Sequence, residues 1–545
     1  SGTAGSFTLS FSASGLTGAT SSTITLGAGG ASKLAISTQP SASATSGTQF
    51  GQQPVIQLQD ASGNNVTTSG VSVTAAIASG TGGTLTGTTT VTTTNGVATF
   101  SNLTLTGTAG NFTLSFSSSG LTGATSNTIA LAAGSASKLV ISIQPSASAS
   151  SGTPFAQQPV IQLQDASGNN VTTSGVSVSA AIASGTGGTL GGTTTVTTSS
   201  GVATFTNLSL SGTAGNFTLS FSASGLTGAT SGTITLGAGG ASKLAISIQP
   251  SASATSGTQF AQQPVIQLQD ASGNNVTTSG VSVSAAIASG TGGTLSGTTT
   301  VTTSNGVATF TNLTLTGTAG NFTLSFSASG LTSATSNTIA LGAGAAAKLS
   351  ITTQPSASVA AGSAFSTQPV VRLLDASNNP VTTSGVVITA TIGSGSGGVL
   401  VGTTTATTSS GVATFSTLGL GGTAGNFTLT FTSGALATAT SNTISVTAGP
   451  VSAAASTATV PNGTAGNLTT ITIQGRDQYG NAVATGGATV VVTITGTNPG
   501  SASVVDNGNG TYTATYTPAV AGPDTIAITL NGTAISGSPF TSTVS

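Results

Sequence analysis

The chain has 545 residues but only six basic and seven acidic side chains, and it lacks His, Cys, Met, Trp and Glu altogether. Acid/base and nucleophilic catalysis need titratable groups within hydrogen-bond reach of one another, nucleic-acid binding needs clustered Lys and Arg, and zinc, haem or iron–sulfur sites need His or Cys. The composition therefore speaks against an enzyme, a nucleic-acid binder or a metalloprotein and implies no cofactor, while a 37% hydrophobic content at a net charge of −1 argues for folded cores rather than disorder.

From the N-terminus, residues 1–30 repeat the pattern of 106–135, because the whole of 1–450 is periodic. The string QQPVIQLQDASGNNVTTSGVSV recurs at 52–73, 157–178 and 262–283, and Lys33, Lys138, Lys243 and Lys348 keep the same 105-residue spacing without insertion or deletion. Full units are expected at 31–135, 136–240, 241–345 and, more diverged, 346–450. Residues 1–30 then correspond to the last two strands of a unit, and a lone hairpin is marginal in water. Either this stretch is cut from a longer array or another subunit donates the missing strands.

Within a unit, apolar residues alternate with Ser and Thr at every second position, the period of a half-buried strand. Phe112, Leu114 and Phe116 do so, as do Val71, Val73, Ala75 and Ile77. The alternation predicts about seven strands, near 33–38, 53–60, 71–79, 83–93, 96–105, 111–117 and 126–132. That number in about 100 residues suits an immunoglobulin-like sandwich of two antiparallel sheets. Phe50, Phe100, Phe112 and Phe116, repeated in register, are the expected core of each unit; 18 of the 19 Phe in the chain fall at these four positions.

The motif QDASGNN at 59–65 ends one strand and reads as a turn in which Asp60 accepts backbone N–H bonds and Gly63 or Asn64 takes positive φ. One Asp per unit is too few carboxylates for a calcium site, which takes six to eight oxygens. One Lys beside one Asp also permits a covalent isopeptide bond, with Lys33 and Asp60 as the crosslink candidates. Asn65, Asn102 and Asn111 lie in Asn-x-Ser/Thr triplets that would accept glycans on an extracellular chain.

The stretch SKLAISTQPSASATSGTQFGQQPVIQLQDASGNNVTTSGVSV, followed by NGVATFSNLTLTGTAGNFTLSFSSSGLTGATSNTIAL, resembles the tandem bacterial immunoglobulin-like repeats of large surface proteins and invasin/intimin-type adhesins. The resemblance spans 1–450. Residues 451–545 depart from the period, hold Tyr479, Tyr512 and Tyr516, and resemble the filamin-type immunoglobulin repeat through Asp506-Asn-x-x-Gly-Thr-Tyr512, Tyr516-x-Pro518 and Gly537-Ser-Pro-Phe540. Asp524 stands where that family usually carries an aromatic residue.

The resemblance implies an all-β chain of serial immunoglobulin-like sandwiches, an extended array of beads on a string. It implies a non-enzymatic extracellular or cell-surface protein, a filament subunit or adhesin stalk that self-associates or joins other surface proteins. A second reading places glycan or cell-surface binding in 451–545, with Tyr479, Arg476 and Asp477 as recognition candidates. A third is a virion tail-fibre or decoration protein. No apolar run approaches the ~20 residues of a membrane-spanning helix.

Overall fold

The period-two runs become strands, and nothing in the chain becomes an α-helix; the one helical turn is a 3-10 turn at Ala453–Ala455. The computed structural model describes residues 1–545 and divides into two units, Ser1–Lys243 with Leu268–Thr278, and Leu244–Gln267 with Ser279–Ser545. No helix is long and apolar enough to cross a membrane.

In the first unit the chain opens with β1 (Gly5–Phe7), β2 (Ser10–Phe11), β3 (Ala19–Thr20) and β4 (Ile24–Leu26), where β1 pairs only with β4 and β2 only with β3. Phe7, Leu9, Phe11 and Ile24 are 46–59% exposed. Their counterparts one period later, Phe112, Leu114, Phe116 and Ile129, are at most 1% exposed. The difference is the opposing sheet, which the first repeat has and residues 1–30 lack.

The first repeat supplies β5 (Lys33–Thr38), β6 (Ser43–Thr45), β7 (Thr48–Gln49), β8 (Val55–Gln59), β9 (Ser72–Ser79), β10 (Gly83–Thr86), β11 (Thr90–Thr92), β12 (Val97–Thr99), β13 (Thr104–Gly107), β14 (Gly110–Ser117), β15 (Ala124–Thr125) and β16 (Ile129–Ala132). One sheet runs β11-β9-β14-β16-β6, with β15 beside β14 and β6 parallel to β16. Across the core lie β12-β8-β5 and β10-β13-β7. The sandwich is immunoglobulin-like, as the alternation predicts. Phe50, Phe100, Phe112 and Phe116 fill it together with Ile56, Leu58, Val73, Leu105 and Ile129. The rings of Phe100 and Phe116 are 5.6 Å apart and tilted by 53°.

Two predicted strands are each broken in two. The stretch 83–93 separates into β10 and β11, which belong to different sheets, because the chain turns at Gly87 with φ +92° and Asn102 Oδ1 accepts the Thr88 amide at 2.7 Å. A left-handed φ of this kind suits glycine. The stretch 96–105 likewise divides into β12 and β13, with Phe100 and Leu103 turned inward at the crossing. The second repeat copies the arrangement around Phe155, Phe205, Phe217 and Phe221. It lacks a counterpart of β7, because Pro154 stands where Gln49 does and keeps only an isolated bridge to Ser209.

In the second unit the fourth repeat forms the same sheets, Ala346–Thr353 beside Val370–Asp375 and Val412–Thr414 facing a sheet centred on Gly425–Thr432. Residues 451–545 make a further sandwich. Thr457–Thr459, Thr469–Gln474, Thr511–Tyr516 and Ser503–Asp506 form one sheet, and Val490–Gly496 and Gly522–Leu530 form the middle of the other. Its core replaces the phenylalanines with Tyr512, Ile471, Ile473, Ile494, Ile526 and Ile528.

Candidate functional site at the joints

The Asp60 motif folds as the sequence predicts. Gly63 donates its amide to the Asp60 carbonyl, Asn64 donates its amide to Asp60 Oδ1 at 2.8 Å, and Gly63 takes φ +88°. In the fourth repeat Asn378 occupies that position with φ +70°, a conformation Asn tolerates better than most residues. The turn thus survives the loss of its glycine.

The Asn that follows was missed as a functional residue, and it does the most. At the second repeat, Asn169 Nδ2 donates to Asp165 Oδ2 and to the Gly107 carbonyl of the first repeat, both at 2.8 Å, while its Oδ1 accepts the Ala109 amide at 2.7 Å. Asp165 Oδ2 also accepts the Gly134 amide of the connecting segment at 2.7 Å. One Asp–Asn pair therefore grips the loop ahead of β14 and the linker together. Ser46 closes the joint: its hydroxyl bonds Gly107 and lies 3.3 Å from the Ser167 hydroxyl.

The same grip recurs at every boundary. Asp60 and Asn64 hold Gly29, Gly2 and Ala4; Asp270 and Asn274 hold Gly239, Gly212 and Ala214. Asp375 and Asn379 hold Gly344, Gly317 and Ala319, and Asp477 and Asn481 hold Gly449, Gly422 and Ala424. The cue in the sequence is the Asp–Asn pair four residues apart, which persists in 451–545 where almost nothing else of the repeat does.

Hydrogen bonds to the charged form hold these carboxyls below the ordinary range. The Asn64 amide, then the Gly29 N–H, lowers Asp60 to about 2. At Asp165, Asp270, Asp375 and Asp477 burial pushes upward, but the Asn and backbone N–H donors outweigh it and the net shift is downward. A carboxylate so saturated with donors is a poor proton acceptor near neutrality. Its chemistry is that of a fastener.

The other candidates named from sequence fall at or beside the joints. Lys33 opens β5, bridges Thr122 and lays its amine beside Gly63 of the Asp60 turn. Asp477 is wholly buried in the last joint, Arg476 donates from Nη1 to the Gly480 carbonyl at 2.7 Å, and Tyr479 packs on the core of the fourth repeat. Tyr512 and Tyr516 are buried in the core of 451–545. Asp524, the departure from the filamin pattern, is fully buried and accepts the Asn498 amides and the Tyr516 hydroxyl.

Asn498 deserves comparison with Asn169. Its Oδ1 accepts the Ala519 and Val520 amides at 2.8 Å each, and its Nδ2 donates to the Val520 carbonyl at 2.8 Å. This loop leads into Gly522–Leu530 as the Gly107 loop leads into β14. In 451–545 the pincer is supplied from within.

The profile of the Filamin/ABP280 repeat matches residues 448–541, and that of the SMCHD1 Ig-like domain 6 matches 242–340. The first match covers most of 451–545, so this segment is similar to a filamin repeat. Among solved structures, the Escherichia coli adhesin FdeC aligns at 24% identity over 56% of this chain and 98% of its own, with a TM-score of 0.27. Invasin, a bacterial integrin-binding protein, aligns at 13% identity over 94% of this chain and 98% of its own, with a TM-score of 0.24. The Lin-41 filamin domain aligns at 25% identity over 17% of this chain and 96% of its own, with a TM-score of 0.16. No curated protein sequence matches the chain.

Proposed function

We propose that the chain is a non-enzymatic structural protein of the cell exterior, a stalk or filament segment whose immunoglobulin-like modules are fastened in series. The observation that carries this reading is the Asp–Asn grip, found at five successive boundaries with the same partners. Five of the seven acidic groups in the chain are spent on it, and a chain using its few charges this way has little left for chemistry. Module-to-module fastening lets length grow by copying units, each touching its neighbours. Serine and threonine supply the remaining polarity without reactivity.

Imaging the native assembly with an antibody against the repeats tests the reading. Label along surface projections or filaments is expected. Label confined to the cell interior would overturn it. Glycan binding through Tyr479, Arg476 and Asp477 would have to coexist with the hold of Asp477 on Gly449 and the packing of Tyr479 on the fourth repeat, and a glycan array probed with the whole chain checks it.

A further inference from the structure

The last joint differs from those between successive repeats at three positions, two of which, Gly421 and Tyr479, touch. Where the joint between the first and second repeats has Ser46, Thr106 and Ser167, and the next two have Ser151, Ser211, Ser272 and Ser256, Thr316, Ser377, the last has Ala361, Gly421 and Tyr479. The serine pairs lie 3.3–3.4 Å apart, hydroxyl to hydroxyl. At the last joint both hydroxyls are gone, Ala361 is 1% exposed within the core of the fourth repeat, and the Tyr479 ring packs against that core. A Cβ built on Gly421 would meet Tyr479 Cζ at 2.6 Å and Cε2 at 3.1 Å, and one on Gly362 would meet Gln478 Nε2 at 2.6 Å and the same ring at 3.1 Å. Around Gly47, the counterpart of Gly362, the nearest atom is instead the Thr106 hydroxyl of the same repeat.

We infer that these three positions form a docking code that fixes which module can follow which. The end of a Ser/Thr repeat accepts a turn bearing Ser, and the Ala361/Gly421 end of the fourth repeat is shaped for a module whose Asp–Asn turn carries tyrosine. The exclusion is steric and runs one way. A tyrosine-bearing module seats on a Thr106-type end only with its ring displaced from this position, because the ring and the threonine side chain claim the same space. A serine-bearing module on the Gly421 end meets no clash, but it leaves the tyrosine pocket empty and finds no hydroxyl partner. The filamin-type module is thereby confined to its place after the fourth repeat. The code concerns module order and holds whatever the array carries.

Amide hydrogen exchange on the full chain tests it, read at Ala424 and Gly449, whose amides are held by Asn481 and Asp477. Gly421→Thr is expected to raise exchange at both amides by tenfold or more, with Phe427 to Phe431 of the fourth-repeat core keeping their protection. Adding Tyr479→Ser and Ala361→Ser is expected to restore them. If Gly421→Thr disturbs that core, the converse set decides. Ser167→Tyr alone is expected to expose the Ala109 and Gly134 amides, and Ser46→Ala with Thr106→Gly and Ser167→Tyr to protect them again. Unchanged exchange in both Gly421→Thr and Ser167→Tyr, or failure of both compensated sets to recover, would overturn the code.

Discussion

At the scale of single residues, the joint rests on one primary amide that donates twice and accepts once. Asn169 satisfies a carbonyl and an N–H of the preceding repeat and a carboxylate of its own turn. Replacing it with an isosteric acid, Asn169→Asp, turns the donor into a second acceptor facing Asp165 and the Gly107 carbonyl. With a charged group involved, the expected cost to the joint is about 1.5–3 kcal/mol. It is read as faster exchange at the Ala109 and Gly134 amides while Leu114 stays protected.

Acid should act on the same group. Asp60 falls from 3.8 to about 2 on folding, so its stabilising contribution is complete above pH 4 and is lost as pH drops from about 4 to 2. The other joint carboxyls are shifted in the same direction. Stability should therefore be flat from pH 5 to 9, where no His titrates, and decline below pH 4. Thermal melts across that range check both halves of the statement. Tyr516 is pushed up by burial, with Asp524 beside it, so a second decline is expected only in strong alkali, above its ordinary value of 10.0.

At the scale of elements, the strands with two faces in contrast were legible and the sheet-switching ones were not. Alternation around Phe112, Leu114 and Phe116 locates β14 within a residue, because each inward side chain meets a core and each outward one meets water. Alternation continues through 83–93 and 96–105 as well, but it is blind to which sheet a strand joins. That choice is made by a turn at Gly87 and by the Asn102 side chain that reaches back to Thr88. Of the joint, Asp60 and its turn could be read, since an Asx turn is local; Asn64 could not be assigned, since its partners Gly2 and Ala4 lie some 60 residues away. The Phe pair that joins the residue after β12 to β14 is a case where repetition gives a sharp test. Phe100–Phe116, Phe205–Phe221, Phe310–Phe326 and Phe415–Phe431 keep centroids 5.4–5.6 Å apart at 53–57°. Phe116→Ala and Phe221→Ala should each cost about 3–5 kcal/mol, by equal amounts, in denaturant unfolding. Unequal losses would show that the two cores relax differently around the same cavity.

At the scale of the whole molecule, the 105-residue period makes each repeat a unit of extension as well as of sequence. A chain pulled from its ends in a single-molecule experiment unfolds one sandwich at a time when the modules meet only through joints. Each 105-residue repeat then releases on the order of 35 nm of chain, at roughly 3.6 Å per residue less the folded span. The measurement also decides the crosslink. A covalent bond from Lys33 to Asp60 would shield the residues between them and shorten each step by about 10 nm, and intact mass would register the loss of one water per bond. The full step is expected, because both Asp60 oxygens are already taken by Asn64 and Gly29 and the lysine amine rests beside Gly63 instead. Asn169→Asp should leave the step length of the first two repeats unchanged while lowering the force at which they yield, since the joint braces the loop ahead of β14 without contributing a strand to either sheet.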